Sequence, residues 1–163
     1  MKVLGIDPGT AACGYGVVER GGTGRLLALE HGLWRTSARE RPELRLKVIF
    51  DGVTELIGKH APGVVAIEES YVGADARVAL SVGQARGAVL VASAAAGLQC
   101  TEYAPAHVKL TVCGYGRAEK AQVERMVRSI LALSRPVVPH HAADALAVAI
   151  CHALAPPLMR AVG

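Results

Sequence analysis

Four side chains that can bind a metal ion stand where the sequence predicts that buried elements begin or end. Asp7 closes the apolar run VLGID just before Pro8-Gly9, and Glu68 closes the run VVAIE. His141 and Asp144 lie three residues apart in a predicted helix, so they share one of its faces. A carboxylate is costly to remove from water without a partner. These residues are therefore candidates for binding a cation.

Each of these residues also has a plainer structural interpretation when it is taken singly. An Asp before Pro-Gly is a turn residue about as often as it is a ligand, and an H-x-x-D pair at a helix start is more often a cap. Glu69 follows Glu68 directly, and strand alternation sends the two side chains to opposite faces. Either could point inward, and we favour Glu68. The presence of all four residues together points to a cation site more specifically than any one of them does.

The conjunction predicts metal-assisted cleavage of a phosphodiester. If the strands that end at Asp7 and Glu68 are parallel neighbours, both side chains emerge at the sheet edge where ligands of α/β sheets bind. Several carboxylates at short range repel one another unless divalent cations neutralise them. Oxygen-rich ligands favour Mg²⁺ or Mn²⁺ over zinc. Two such ions can activate a water and stabilise the leaving oxygen, so we expect two ions in the site.

The hydrophobic pattern predicts the elements that would position these side chains. Three strands joined by short Gly-rich connections indicate an antiparallel meander, and two more strands alternate with helices. This order predicts an α/β fold with a mixed five-stranded sheet, three antiparallel strands followed by two parallel ones, and helices on both faces. The predicted strands are 2–7, 13–20, about 25–36, 63–68 and 100–104, and the predicted helices are 42–59, 75–97, 105–112, 118–133 and 140–154.

Length and composition predict one domain. The chain has 163 residues, of which 52% are hydrophobic and 20% charged. We expect a single domain over 1–155 and a frayed tail over 156–163. The net charge of +4 is weak evidence for a polyanionic partner.

The cellular location is also constrained by composition. The four cysteines have no C-x-x-C spacing, which argues against a zinc site or a disulfide framework and favours a reduced cytoplasmic location. The apolar stretch 78–98 is interrupted by Gln84 and Arg86, and its uninterrupted part is too short to span a bilayer. We therefore expect no membrane association.

Five stretches of the chain together resemble the RuvC family of Holliday-junction resolvases, which have an RNase H-like fold. They are GIDPGTAACGYGVVE, AIEES, GQARGAVLVA, HVKLTVCGYGRAEKAQV and AADALAVAI, and they run in the expected order from residue 3 to about residue 152. The resemblance implies a homodimer that binds a four-way DNA junction in recombination and repair. It implies paired, symmetric nicks that leave 5′-phosphate and 3′-hydroxyl ends. It also implies a branch-migration motor partner (RuvA and RuvB), although no docking motif is visible.

The resemblance assigns the catalytic and metal-binding roles by position. The family's catalytic acids fall on Asp7, Glu68 and Asp144. The remaining position of its tetrad, an Asp in many members, is His141 here, and some relatives also carry His. Because imidazole is softer than carboxylate, we expect His141 to favour Mn²⁺ relative to Mg²⁺. His140 is the alternative imidazole next to this position, and its plainer interpretation is an exposed residue at the helix start.

The resemblance also points to residues that face DNA. Lys109 and Lys120 match lysines that the family uses near the scissile phosphate, although alone they would be solvated surface charges. Arg117 is a further candidate. Tyr71 matches an aromatic position that stacks on an unpaired base at the junction centre, and its alternative is a loop tyrosine packed on a helix.

Two larger surfaces each have two interpretations. Arg125 and Arg128 extend the basic patch or only decorate an exposed helix face. The small-residue helix, from about Ala79 to Ala92, is expected to reach the second protomer of a dimer, and its alternative is ordinary core packing.

Three other functions fit part of the sequence. G-I-D-x-G-T followed by a hairpin resembles the phosphate loop of the actin, sugar-kinase and Hsp70 superfamily, but that fold needs two such domains and 163 residues are too few. A small RNA-processing nuclease of the RNase H-like group has a similar first strand, but the G-Q-A-R-G and A-E-K stretches argue against it. The third alternative is a junction-binding protein whose site has degenerated.

Overall fold

The five strands form one mixed sheet in the order β3-β2-β1-β4-β5. The structure is a computed structural model and describes residues 1–69 and 75–156. β1 and β3 run antiparallel to β2, whereas β4 runs parallel to both β1 and β5, so the predicted mixed sheet is confirmed. The strands are β1 (Lys2–Asp7), β2 (Ala12–Arg20), β3 (Leu26–Arg35), β4 (Val64–Glu68) and β5 (Cys100–Tyr103), and the helices are α1 (Pro42–His60), α2 (Ala76–Ala95), α3 (Pro105–Cys113), α4 (Lys120–Ile130) and α5 (His140–Leu154).

Two hydrophobic cores lie on opposite faces of the sheet. Leu4 and Ile6 of β1 pack into the core shared with α1 and α2, whereas Val3 packs into the core shared with α3, α4 and α5. Because side chains alternate along a strand, Asp7 follows Val3 to the α5 face. In β4, Val64 and Ala66 belong to the α5 core, so the same alternation sends Glu68 there.

Glycines in β1 and β2 let the backbone of α5 lie directly on the sheet. A β-carbon placed on Gly14 would lie 2.0 Å from the carbonyl oxygen of His141. One placed on Gly5 would lie 2.1 Å from the carbonyl oxygen of Ala145. Side chains other than hydrogen at these two positions would push α5 outward, so the glycines fix where the first turn of α5 stands above the end of β1.

Most element boundaries follow the sequence pattern closely. α1 and α3 each begin on a proline, a residue whose missing N–H costs nothing at the first helical position. α4 is shorter than the predicted 118–133, because Ala132 takes a left-handed backbone conformation with φ 51° just beyond its end. The predicted tail at 156–163 and Tyr71 lie outside the described residues, apart from Pro156 itself.

The apolar stretch at 78–98 forms most of α2, which is longer than the uninterrupted apolar part of that stretch. Among residues 1–69 and 75–156, α2 has 20 residues and is long and apolar enough to cross a membrane. However, α2 packs against α1, and its Arg86 forms an ion pair with Glu102 of β5. Because helices of folded cores pass the same test, the composition of α2 is weak evidence for a membrane span.

Candidate active site

The end of β1 and the start of α5 meet at a direct side-chain contact. Nδ1 of His141 lies 2.6 Å from Oδ2 of Asp7. Asp7 is mostly buried, with 16% of its side chain exposed, whereas His141 has 47% exposed. If Nδ1 donates its proton to the carboxylate, Nε2 keeps its lone pair and remains available to a ligand.

Asp144, one helical turn after His141, completes a cluster that suits a cation. One ligand atom each from Asp7, His141 and Asp144 lie within 4.8 Å of one another. We call these three residues the Asp7 cluster. Two carboxylates and an imidazole form a mixed oxygen and nitrogen donor set, which is suited to Mg²⁺ or Mn²⁺ when oxygen predominates. The residues present therefore fit a divalent metal ion.

Glu68 lies beside the Asp7 cluster but is not one of its three members. It lines a cavity of about 220 Å³ together with Asp144, Lys109 and Lys120. We call this space the lysine cavity. β1 and β4 are parallel neighbours, with Ile6 opposite Ile67, so Asp7 and Glu68 leave the sheet at the same edge. The structure thus brings all four predicted metal-binding residues to one edge.

The surroundings of Asp7 and Glu68 disfavour the ionised forms of both carboxyl groups. Burial, and then the neighbouring carboxylates of Asp7 and Asp144, raise the pKa of Glu68 to about 8. Burial is also the largest cause of the raised pKa of Asp7, and Asp144 adds to it, whereas the hydrogen bond from His141 opposes it. A divalent cation would relieve both the desolvation and the repulsion. This electrostatic pattern is typical of a cation-binding site.

Two lysines reach the site from the helices that pack on α5. Nζ of Lys120, at the first residue of α4, lies 2.8 Å from Oδ2 of Asp144. Lys109 of α3 lines the lysine cavity together with it. Sequence reasoning named both residues, but their convergence depends on how α3 and α4 pack against α5.

The arginines that were predicted to face DNA lie outside the lysine cavity. Arg117 is in the loop between α3 and α4 and does not line the lysine cavity. Arg125 and Arg128 line a separate hollow of about 430 Å³, and the guanidinium of Arg128 donates to the carbonyls of Leu133 and Ser134. None of these three arginines lines the lysine cavity.

His140 has a partner that the sequence interpretation missed. Its Nδ1 contacts a carboxylate oxygen of Glu124 on α4. One turn away, Lys120 of α4 contacts Asp144 of α5. The two contacts tie α4 to the first turn of α5, and His140 therefore points away from Asp7, toward α4.

Sequence reasoning also missed a second space that borders the cluster, a groove that shares no lining residue with the lysine cavity. Its wall includes His141, the β1–β2 turn, and Arg77 and Ser81 of α2. One signal was available, since Arg77 is a lone cation near the start of an apolar helix. Nothing in the sequence shows, however, that this helix passes beside the turn.

The thiol of Cys13 lies behind Asp7 and takes no part in this chemistry. Burial raises its pKa to about 12, and the nearby Asp7 carboxylate adds to the shift. The thiol therefore stays protonated at neutral pH and acts as a small apolar group beneath the site.

Comparison with known proteins gives one family over most of the chain. The family model described as "Crossover junction endodeoxyribonuclease RuvC" matches residues 3–152. The chain is 52% identical to the crossover junction endodeoxyribonuclease RuvC of Heliobacterium modesticaldum over 151 residues, which are 93% of each protein. It is similar to the Thermus thermophilus RuvC structure, with a TM-score of 0.88 and 41% identity over 94% of this chain and 93% of that one. The T. thermophilus RuvC structure in complex with a Holliday junction substrate superposes with a TM-score of 0.86, at 38% identity and the same coverage.

Proposed function

The chain belongs to the RuvC family of crossover junction endodeoxyribonucleases, and we propose that it resolves four-way DNA junctions at the edge of the sheet where Asp7, Glu68, His141 and Asp144 meet. It is a nuclease of the RNase H-like fold and acts in DNA recombination and repair. The observation that carries the proposal for the site is the cluster of Asp7, His141 and Asp144, whose ligand atoms lie within 4.8 Å of one another.

The enzyme is a metal-dependent nuclease, and its own residues suggest how the metal is held. We propose that Asp7, His141 and Asp144 are ligands and that Glu68 joins them on loading, because a bound cation would lower its pKa from about 8 and favour the carboxylate form at neutral pH. Mg²⁺ or Mn²⁺ ions, two per site, would supply an activated water and a stabilised leaving oxygen for phosphodiester hydrolysis. Paired nicks with 5′-phosphate and 3′-hydroxyl ends are the expected product.

Lys109 and Lys120 are proposed to bind the DNA backbone. Both line the lysine cavity beside Glu68 and Asp144, so an entering phosphate would meet two ammonium groups at the edge of the metal site. Lys120 contacts Asp144 at 2.8 Å, and we propose that it moves to phosphate when a cation takes its place at the carboxylate. Arg117 and Tyr71 keep their proposed roles in junction binding, Arg117 from the loop between α3 and α4.

A homodimer is proposed to supply the two sites for symmetric nicks. One face of α2 carries the exposed apolar side chains of Leu80 (65% exposed) and Val91 (61% exposed). Gly83 and Gly87 lie between them, and a β-carbon placed on either glycine would have no neighbour within 4 Å. An exposed apolar face with small residues at its centre suits close contact with the same face of a second copy.

Cleavage of synthetic substrates tests the proposed function. A four-way junction, a linear duplex of the same sequence and a structured RNA are each incubated with wild-type protein and Mg²⁺ or Mn²⁺. Paired nicks on the junction alone support the proposal, whereas cutting of the RNA alone or binding of the junction without cutting contradicts it. Asp7→Asn keeps the side-chain shape but removes the charge, and should abolish nicking while junction binding in EDTA persists. Normal nicking by Asp7→Asn would show that Asp7 is only a turn residue.

The cellular location and a protein partner are also proposed from the family. The protein is expected to work in the cytoplasm with a branch-migration motor built from RuvA and RuvB. Co-purification of the three proteins on a tethered junction, compared with a tethered linear duplex, measures that association.

A further inference from the structure

A groove of about 450 Å³ borders the Asp7 cluster at His141 and shares no lining residue with the lysine cavity. We call it the Arg77 groove. It lies between the β1–β2 turn and the first turns of α2, and its wall is formed by Pro8, Gly9, Thr10, Ala11, Ala12, Arg77, Val78, Ser81, Val82 and His141. Its volume lies within the range of about 300–1,000 Å³ typical of small-molecule sites.

The wall of the groove combines apolar surface with one strong anion-binding group. Proline, alanine and valine side chains provide most of the wall, whereas Arg77 supplies a guanidinium. Within residues 1–69 and 75–156, Arg77 forms no ion pair with a carboxylate. The nearby Asp75 carboxylate accepts from the backbone N–H groups of Arg77 and Val78, so it caps α2 instead of neutralising the guanidinium.

The floor of the groove is held by a chain of hydrogen bonds. Thr10 is 7% exposed, and its hydroxyl contacts the hydroxyl of Ser81 on α2. The hydroxyl of Thr36 donates to the carbonyl of Thr10, and Nε of Arg45 lies 2.9 Å from the hydroxyl oxygen of Thr36. These contacts join the turn to α1, α2 and the end of β3, so the groove is formed before any ligand arrives.

His141 and Asp144, one helical turn apart on α5, place the groove and the lysine cavity next to the same metal-binding cluster. His141 lines the Arg77 groove and Asp144 lines the lysine cavity, and both belong to the Asp7 cluster. The two spaces therefore border the same metal-binding cluster at different residues, and a DNA strand with its scissile phosphate at the cluster would have both within reach. The lysine cavity offers ammonium groups to phosphate, whereas the groove offers an apolar wall and a guanidinium.

We propose that the Arg77 groove binds the nucleotide next to the scissile phosphate, with its sugar and base against the apolar wall and its phosphate on Arg77. This inference rests on the proposed function, because it assumes that the scissile phosphate lies at the Asp7 cluster. It makes Arg77 a binding residue for the substrate on the side of the site that Lys109 and Lys120 do not reach. Guanidinium binds a phosphodiester in a bidentate manner, which an ammonium cannot do.

Junction binding in EDTA tests the inference without depending on cleavage. Dissociation constants of wild type, Arg77→Ala and Arg25→Ala are measured by fluorescence anisotropy over a series of salt concentrations. Arg25 is exposed in the β2–β3 turn, at the opposite end of the sheet, so Arg25→Ala is a matched loss of one charge. We expect Arg77→Ala to weaken binding about tenfold and to lower the slope of log K against log salt by about 1. Arg25→Ala should change neither.

A second pair of variants tests whether a nucleoside fills the groove. Ala11 is exposed and lines the groove, so Ala11→Leu adds bulk there without burying it in the core. Val78→Glu adds a negative charge to the wall at a residue that is 55% exposed. Both should weaken junction binding several-fold with unchanged circular dichroism, and in the cleavage assay the loss should appear more in KM than in kcat. Arg77→Lys should restore only part of the affinity.

The outcomes separate this inference from the proposed function. If the wild type nicks junctions and Arg77→Ala behaves like Arg25→Ala, the groove does not bind the substrate and the inference is wrong. If Arg77→Ala loses affinity but Ala11→Leu does not, Arg77 binds phosphate from outside the groove, which also overturns it. If the wild type binds junctions without nicking any substrate, the proposed function fails, and the binding series still decides the role of the groove.

Discussion

His141 and Asp7 are 134 residues apart in the chain, yet Nδ1 of the imidazole lies 2.6 Å from a carboxylate oxygen. This contact joins the last residue of β1 to the second residue of α5. It depends on Gly14, on the neighbouring strand, whose missing side chain lets the carbonyl of His141 approach the sheet. The active-site geometry is therefore a consequence of helix-on-sheet packing as much as of the ligands themselves.

Replacing Glu68 by Gln should stabilise the metal-free protein while it impairs cleavage. The pKa of Glu68 is raised from 4.5 to about 8, so the folded state holds its proton more tightly than the unfolded state. The wild type is therefore most stable relative to Glu68→Gln below pH 4.5, and it loses that stability as the pH rises toward 8. In EDTA the melting temperature of Glu68→Gln should exceed that of the wild type by several degrees at pH 8 and by little at pH 4.5.

The metal ion supplies the control for this experiment. Adding Mg²⁺ at pH 8 should raise the melting temperature of the wild type more than that of Glu68→Gln, because only the wild type gains a carboxylate ligand. A Glu68→Gln protein that is less stable than the wild type at pH 8 in EDTA would contradict the charge-repulsion account.

Adding a methyl group at Gly14 should displace the first turn of α5. A β-carbon there would lie 2.0 Å from the carbonyl oxygen of His141, a contact that only a backbone shift can relieve. We expect Gly14→Ala to lose about 1–3 kcal/mol of unfolding free energy, as overpacked sites do. Nicking should fall by a larger factor than the residual folded fraction explains, because His141 moves away from Asp7.

Gly58→Ala is the matched control for that change. Gly58 is an exposed residue of α1, and a β-carbon placed on it would meet nothing within 4 Å. Because alanine favours a helix over glycine by about 0.5–1 kcal/mol, this variant should be slightly more stable and fully active. Equal activity of the two variants would show that α5 tolerates the displacement.

Much of this fold could be predicted from the sequence because the ends of its strands and helices are marked by short-range sequence patterns. The apolar run before Asp7, the meander and the start of α5 at His140 each follow from short-range patterns, and the structure has them at the predicted places. The match of five stretches to one family supplied the fold and the roles of the acids. The family resemblance placed Lys120 near the site, but its ion pair with Asp144 depends on how α4 packs against α5 and has no local signal.

The Arg77 groove could not be predicted, since its two walls are far apart in the chain. The turn at Thr10 and the residue Ser81 meet only because α2 packs across the sheet edge. Likewise, no local signal pairs His140 with Glu124, because that contact depends on the angle between α4 and α5. Contacts between elements that are distant in the chain can therefore be found only from the tertiary structure.

A charge on the exposed face of α2 should separate the proposed dimer. Val91 is 61% exposed, and Leu80 lies three turns earlier on the same side of the helix. We expect Val91→Glu to sediment as a monomer at concentrations where the wild type is a dimer, because two buried carboxylates would face each other across the two-fold axis. Thr54→Glu, an exposed change on α1, is the control. A monomeric wild type would contradict the proposed dimer.

The identity of residue 141 should set the metal preference of the enzyme. His141→Asp replaces a nitrogen ligand by a carboxylate and adds a third negative charge to the Asp7 cluster. Because imidazole is the softer ligand, the wild type should use Mn²⁺ better relative to Mg²⁺ than His141→Asp does. Junction nicking by both proteins is measured over a series of each metal ion at constant ionic strength.

The neighbouring histidine provides the control for the metal preference. His140 contacts Glu124 instead of Asp7, so His140→Gln should keep the wild-type ratio of Mn²⁺ to Mg²⁺ activity. A ratio that is the same in the wild type and His141→Asp would mean that the imidazole is not a metal ligand. Its hydrogen bond to Asp7 would then be its main role, and nicking by His141→Asp should fall equally with both ions, because two carboxylates cannot share that bond.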